Sequence, residues 1–299
     1  GFICAINEPS IGKKIYKLSK SKFDKFNHRG PDSSYLYSDL NFSIFFRRLA
    51  IIDLSKKSDQ PILSDDGRYV LVFNGEIYNY ITIRNELKKK GFKFKSNGEA
   101  EVLLKAFIFW DNNFIEKVSG MFSICIWDKK KRLLVAYRDR FGQKPLFYYK
   151  TKKGILFSSE IKDLKNLISI HENKETSKKY IFKSFLDNNE DTFFKNVKRV
   201  LPSEQLSYLN NKVSIKKYWK PKFLEKNNYD KEEFLHRFFK NLKMHLNADV
   251  KLAFLLSGGI DSSSLVAGAL ELKKNIKAFS VIPKNTINEK PFINSFVKK

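Results

Sequence analysis

Leu255-Leu256-Ser257-Gly258-Gly259-Ile260-Asp261-Ser262-Ser263 joins a short apolar run at 250–256 to a stretch at 261–272 whose apolar residues recur at helical spacing. The first reads as a buried strand and the second as a helix capped by Asp261 or Ser262. Between them, Gly258 and Gly259 allow a tight turn in which consecutive N–H groups and the helix N-terminus face an anion. Ser257, Ser262 and Ser263 add hydroxyl donors, and Asp261 is a candidate ligand for a magnesium ion shared with phosphates. The plainer alternative is an ordinary strand–turn–helix with glycine at the turn, but it leaves the clustered serines and the aspartate without a purpose.

Ser-Gly-Gly-x-Asp-Ser after an apolar strand resembles the PP-loop of ATP pyrophosphatases, enzymes that cleave ATP to AMP and pyrophosphate while adenylating a substrate. It is not a Walker A loop, since no Gly-Lys-Ser/Thr follows at the required spacing. Alone, the motif leaves asparagine synthetases, GMP synthetase, argininosuccinate synthetase and tRNA-modifying adenylases open. The N-terminal half narrows the choice with His28-Arg29-Gly30-Pro31-Asp32, Arg48-Leu49-Ala50-Ile51-Ile52-Asp53 and Asn74-Gly75-Glu76-Ile77-Tyr78-Asn79. Gly120-Met121-Phe122, Arg138-Asp139-Arg140-Phe141-Gly142 with Pro145-Leu146, and Ser158-Ser159-Glu160-Ile161-Lys162 follow. In this order the segments resemble the class II glutamine amidotransferase domain of glutamine-hydrolysing asparagine synthetases. The resemblance covers nearly the whole chain and is weakest across 170–225. It implies an Ntn-hydrolase-type αββα sandwich over 1–219, an α+β front domain. A linker at 220–230 and, over 231–299, the start of an α/β Rossmann-like PP-loop ATP pyrophosphatase domain would follow.

Glutamine hydrolysis needs a nucleophile, donors for a tetrahedral oxyanion, and grips for the carboxylate and ammonium ends of the substrate. Arg48, after the apolar-aromatic run 42–46, offers a planar fork suited to a carboxylate; by itself it reads as readily as a surface arginine. Asn74-Gly75 reads as the end of a strand at 69–73. The dipeptide is the commonest tight turn, yet an Asn amide beside a Gly N–H is also a competent oxyanion pair, each donor worth about 3–4 kcal/mol. The resemblance favours the oxyanion reading. It also implies that Arg48, Leu49, Ala50, Ile51, Ile52, Asn74, Gly75, Glu76 and Glu99 surround glutamine. The family's Ser-Asp-x-Glu stands here as Asn97-Gly98-Glu99-Ala100-Glu101, so Glu99 replaces the ammonium-binding Asp with one more methylene, and Gly98 is expected to supply slack.

In the family the mature chain begins with Cys, whose thiolate attacks the amide while its own α-amino group serves as base. The sequence here opens Gly1-Phe2-Ile3-Cys4, and the family's Cys-Gly-Ile/Phe places the nucleophile one position before Gly1. Cys4 falls in an apolar run at 2–6 and is read as a buried, inert thiol. Two accounts stay open: the sequence lacks its leading residue, or the protein does not hydrolyse glutamine.

With 299 residues, 42% apolar content, 28 Phe and 13 Tyr, the chain can fill two cores. Cys4 and Cys125 lie in separate apolar strands with no metal or CxxC spacing, which fits a reduced, cytoplasmic setting. No secretory n- and h-regions open the chain and no apolar run approaches about 18 residues, so no membrane span is expected. A formal charge of +25 invites a nucleic-acid partner, but 47 of the basic residues are Lys and only 10 Arg. Lysine runs such as Lys88–Lys90 fall at helix ends and turns, so a Lys-rich proteome is the preferred explanation.

Helices are expected at 79–90 (capped by Asn79, ended by Gly91), 100–109 and 230–246. Hairpins are expected at 121–137, 146–158 and 206–217. After the loop helix, 276–282 reads as a second parallel strand and 288–299 as a helix. So few strands do not make 231–299 a stable domain by itself, and a fragment is expected.

The function implied is a glutamine-dependent, ATP-consuming ligase resembling asparagine synthetase. Glutamine would yield ammonia, and Mg-ATP would adenylate a carboxylate, aspartate by default. Leu256 and Val281 would meet the nucleoside; Ser257, Gly258, Gly259, Asp261, Ser262 and Ser263 would meet the phosphates and Mg²⁺. A homodimer is compatible with this reading. Asn288-Glu289-Lys290-Pro291-Phe292-Ile293 resembles relatives that amidate sugars or peptides, which keeps a different acceptor open. A catalytically silent relative and an RNA-directed adenylase are the rivals; the latter has no need of a glutamine pocket.

Overall fold

The computed structural model describes residues 1–19, 27–184, 189–222, 230–272, 276–282 and 288–297. The chain forms two compact units, Gly1–Lys222 and Phe223–Lys299. Most of the expected linker lies outside the described residues.

The first unit holds two six-stranded sheets. One runs, in spatial order, β10 (Val197–Arg199), β8 (Phe147–Lys150), β9 (Ile155–Ser158), β1 (Phe2–Ile6), β3 (Phe42–Arg48) and β2 (Ser33–Ser38). The other runs β12 (Lys212–Lys217), β11 (Glu204–Leu209), β7 (Leu133–Arg138), β6 (Gly120–Asp128), β5 (Tyr69–Ile77) and β4 (Ile62–Leu63). Neighbouring strands within both sheets pair antiparallel.

Side chains alternate across each strand, and both faces are apolar. Phe2, Cys4, Ile6, Ile44 and Phe46 meet Val70, Val72, Cys125, Trp127 and Ala136 between the sheets. The intervening residues Ile3, Ala5 and Phe45 pack with Ile11 and Ile15 of α1 (Pro9–Ser19) and Leu164 of α5 (Ile161–Lys165). Leu71, Phe73, Ile124 and Tyr137 pack under α2 (Tyr80–Lys89), α3 (Glu99–Trp110) and α4 (Phe114–Lys117). The layers are therefore helix–sheet–sheet–helix, the expected αββα sandwich. A further helix, α6 (Lys174–Lys183), is capped by the Asn173 side chain.

Three local expectations change. β5 does not stop at Phe73: Asn74 and Gly75 pair with Ser123 and Phe122, and the strand continues to Ile77. Asn79 precedes α2, but its side chain accepts from Ser119 N and donates to Lys117 O instead of capping the helix. Gly98 provides close approach and not slack, because a Cβ there would lie 2.2 Å from Ser58 Oγ. The hairpins all form, the last through Asn210 and Asn211, both at positive φ.

In the second unit α7 (Lys231–His245), capped by Asp230, packs against α8 (Ile260–Leu272) at Gly268, where a Cβ would meet Phe238 and Leu242 at 2.8 Å. β13 (Ala253–Leu255) and β14 (Lys277–Phe279) pair in parallel, both shorter than the apolar runs containing them. α9 (Lys290–Val297) places Ile293 against Leu256 and Val266. The helix after the glycine loop starts at Ile260, so Asp261 and Ser262 sit inside its first turn and do not cap it.

Candidate active site

A pocket of about 200 Å³ opens at the ends of β3 and β5 and the start of α3, smaller than a drug-sized site. The structure brings Arg48, Leu49, Ile51, Ile52, Asn74, Gly75, Glu76 and Glu99 together in its wall. Ala50 is not in the lining; its N–H donates to Asp32 Oδ2 at 2.7 Å.

Gly75 sits at φ +150°, and a Cβ there would lie 1.9 Å from the Met121 carbonyl, so the close pairing of β5 with β6 demands glycine. Asn74 Nδ2 is buried and has no hydrogen-bond partner among the described residues. A buried amide donor without a partner is costly unless something fills it. Turn chemistry does not explain it, because Asn74 is paired within the strand.

Arg48 is buried, with its terminal nitrogens donating to Asp59 Oδ1 at 2.8 Å, Ser55 O at 2.9 Å, Ile52 O at 3.2 Å and Asp53 O. It therefore shapes the loop 49–53 from within. Asp53 fastens that loop to the next wall: its carboxylate accepts from Ser55 Oγ, Ser58 Oγ and Asn97 N at 2.6–2.7 Å. Burial alone would raise its pKa, but these donors outweigh it and hold the carboxylate at about 2.

Glu99 is the first residue of α3, and its Oε1 accepts the Ile77 N–H at 2.5 Å. Burial pushes its carboxyl up to about 8; the Ile77 bond and Arg48 oppose, and Glu76 adds to the rise. Behind it, Glu101 accepts from Lys95 N, Ser96 N and Ser96 Oγ, which fixes the turn leading into the helix.

Gly1 lines the same pocket. Its amine donates to Arg47 O at 2.8 Å, and burial, then Arg29 and Lys144, bring it down to about 5 against the pull of Asp163 and Glu160. His28, Arg29 and Lys162 all reach Glu160. Sequence reading missed Lys144, Gln60 and Ser58 as pocket residues. Lys144 lies in the Arg138–Leu146 motif, so its signal was present; Ser58 and Gln60 carry none. Cys4 is indeed buried, and its thiol meets that of Cys125 across the inter-sheet core, far from solvent.

In the second unit, Gly258 adopts φ +79° and a Cβ would meet Phe292 at 2.9 Å. Ser257 N and Oγ bond Ser262 Oγ at 3.2 and 3.0 Å, and Ser262 Oγ donates to Gly259 O. Ser257, Gly259 and Asp261 are exposed, at the N-terminal end of α8. Val281 is 78% exposed, whereas the Leu256 side chain is buried against Val266 and Ile293 and its N–H donates to Phe279 O. Among the described residues no three His, Cys, Asp or Glu gather as a metal site, and no helix is long and apolar enough to cross a membrane.

Comparison with known proteins agrees with this geometry. A family model described as a glutamine amidotransferase domain matches residues 3–219, and one described as asparagine synthase matches 233–298. Asparagine synthetase [glutamine-hydrolyzing] 1 of Bacillus subtilis is 35% identical over 94% of this chain and 45% of its own length. A putative asparagine synthetase [glutamine-hydrolyzing] 2 of Methanocaldococcus jannaschii is 31% identical over 99% of this chain and 62% of its own. The chain thus spans about half to three-fifths of these relatives. Among solved structures, glutamine phosphoribosylpyrophosphate amidotransferase from B. subtilis superposes with a TM-score of 0.53 at 14% identity, covering 95% of this chain and 67% of that one, a likeness of fold. The chain belongs to the glutamine amidotransferase domain family, and over nearly its whole length it is similar to glutamine-hydrolysing asparagine synthetases.

Proposed function

We propose that the first unit hydrolyses glutamine to glutamate and ammonia, with a nucleophile carried by a residue directly ahead of Gly1. The observation that supports this best is the buried Asn74 Nδ2, without a partner among the described residues, beside Gly75 in one pocket with Gly1 and Glu99. The substrate ammonium would face Glu76 and Glu99, and its carboxylate the loop 49–52, which Arg48 holds from within instead of meeting the carboxylate with its own committed terminal nitrogens. The side-chain amide is then left against Asn74, Gly75 and the N-terminus. A thiolate there adds to the amide carbon, Asn74 and the Gly75 N–H stabilise the oxyanion, and the terminal amine carries the thiol proton to the departing ammonia.

The second unit would serve ATP-driven adenylation of a carboxylate, with aspartate as the first acceptor to try. Ser257, Gly258, Gly259, Ser262 and Ser263 would hold phosphates at the N-terminus of α8, with Val281 beside the nucleoside. Exposed Asp261, together with those phosphates, suits Mg²⁺, which supplies charge neutralisation when bound.

The test is a chain bearing Cys immediately before Gly1. It should release glutamate from glutamine, and Asn74→Ala should lower kcat by roughly 10²–10³ with a small change in KM. A folded Cys-bearing chain that binds glutamine but releases no glutamate would leave only a glutamine receptor.

A further inference from the structure

We propose that Gln60 is a positioning residue of the glutamine pocket, whose side-chain carbonyl stands in for a strand on the outer edge of β5 and so holds the Gly75 N–H where it meets the oxyanion. The inference rests on the glutaminase reading above.

The edge of β5 carries the argument. On one side this strand pairs with β6 along its whole length, Tyr69–Ile77. On the other side β4 covers only Val70 and Leu71. Backbone N–H groups alternate in direction along an antiparallel strand, so those of Phe73, Gly75 and Ile77 share the edge that β4 leaves open. Side chains take two of the three. Phe73 N–H donates to Gln60 Oε1 at 2.6 Å, and Ile77 N–H donates to Glu99 Oε1 at 2.5 Å. Gly75 lies between them, about 7 Å of strand from each. The pocket opens on this same edge, lined by Gln60, Phe73, Gly75 and Glu99. Its two flanking N–H groups are thus closed off, and the Gly75 N–H is left for a ligand.

Gln60 acts from a fixed base. It is 7% exposed and stands two residues before Ile62 of β4. On its N-terminal side, Asp59 accepts from Arg48 Nη1 at 2.8 Å and from Ser33 Oγ at 3.2 Å. On its C-terminal side, Ile62 and Leu63 pair with Leu71 and Val70. Because Phe73 offers an N–H, the oxygen of the Gln60 amide and not its nitrogen faces the strand. An amide also suits the place better than an acid. It supplies an acceptor without charge, whereas a carboxylate would join Glu76 and Glu99 in a pocket where an oxyanion must form.

Placement here bears on the chemical step more than on binding. An oxyanion donor acts within about 2.7–3.1 Å of the oxygen that gains charge, and a misplacement of about 1 Å costs on the order of 10²-fold in rate. Without the Gln60 carbonyl, the Phe73 N–H loses its acceptor, and the strand end bearing Asn74 and Gly75 is held from the β6 side alone.

Two variants test this, in the full chain and again with Cys directly ahead of Gly1. Gln60→Met keeps the length of the side chain and removes the acceptor. Gln60→Glu at pH 6, where burial keeps the added carboxyl protonated, retains an uncharged acceptor oxygen. In native-state hydrogen exchange, the Phe73 amide of Gln60→Met should exchange at least about tenfold faster than in the parent. Val72 and Asn74, whose N–H groups face β6, should keep their rates, and Gln60→Glu should keep Phe73 protected. In the Cys-bearing chain at pH 6, Gln60→Met should lower kcat by about tenfold to a hundredfold with KM within about twofold, while Gln60→Glu stays within about threefold of the parent. Unchanged Phe73 exchange in a Gln60→Met protein whose Val72 amide remains protected overturns the proposal. So does a rise in KM with kcat unmoved, or an equal loss of kcat in both variants. A Cys-bearing parent that releases no glutamate removes the glutaminase reading and this role with it, whereas Phe73 exchange still shows whether Gln60 holds the strand.

Discussion

The central strands of the first unit are covered on both faces, whereas in the second unit Leu255, Phe279 and Val281 are 77%, 58% and 78% exposed around a two-stranded parallel sheet. The polar residues differ in the same sense. Asp139, Arg48 and Glu101 each accept or donate several bonds that fasten pocket loops to buried strands, while Ser257 and Ser262 bond mainly within their own exposed turn. One unit is organised before any ligand arrives. The other holds the glycine loop on described strands that bury little apolar surface.

The largest expected effect is in local stability. In native-state hydrogen exchange, amides of Val72, Ile124 and Ala136 should exchange only through global unfolding. Those of Phe254 and Leu255 should open at a cost lower by on the order of 5 kcal/mol. Equal protection in both units would break the comparison. Next is Asp139→Asn, which sets an amide against N–H groups that now point at a carboxylate. We expect a loss of about 3–5 kcal/mol, seen as a lower urea midpoint for the first unit with exchange in the second unchanged. A comparable loss from Asp261→Asn would mean that the glycine loop is as tightly built as the Asp139 loop.

The same contrast explains what could be read from the chain. Strand alternation and motif order made both sheets and most of the pocket legible, because each signal is local and repeats. Asn74-Gly75 misled because the dipeptide is a turn by local preference, yet its pairing with Ser123 and Phe122 forces extended backbone. The cap at Asp261 or Ser262 misled for the opposite reason: Ser262 Oγ turns back to Ser257 and Gly259, and the helix begins one residue earlier. Gly98 against Ser58 and Cys4 against Cys125 are contacts between distant segments, and Lys144 joins Gly1 in one pocket from a distant loop, which no spacing rule exposes.

A smaller effect sharpens the electrostatic side of the first unit. Burial raises the Glu99 carboxyl from its ordinary 4.5 to about 8. Below pH 8 the free pocket therefore holds it mostly protonated, and gripping an ammonium requires ionisation. Glutamine affinity should rise as pH goes from 6 to 8, approaching tenfold per unit, with proton release on binding; calorimetry in buffers of different ionisation heat measures it. Glu99→Gln should flatten the dependence. For folding, the sign is that of a raised acid: the native state binds this proton more tightly than the unfolded chain, so stability falls as pH rises between 4.5 and 8. An affinity independent of pH would mean that Glu76 alone meets the ammonium.

The smallest effect concerns the second unit, and it is where the comparison can be turned around. If exposed Ser257, Gly259 and Asp261 wait for phosphates, Mg-ATP at ten times its Kd should protect amides of 255–266 by about 1.4 kcal/mol and leave the sheets of the first unit unchanged. ATP without magnesium should protect less. Asp261→Asn should erase that difference while keeping the metal-free protection, because the loop N–H groups and serines remain. Protection that spreads into β5 and β6 would show nucleotide binding coupled to the glutamine pocket. Protection by ATP that neither magnesium nor Asp261→Asn alters would leave the phosphates to the loop alone and remove Asp261 from the metal site.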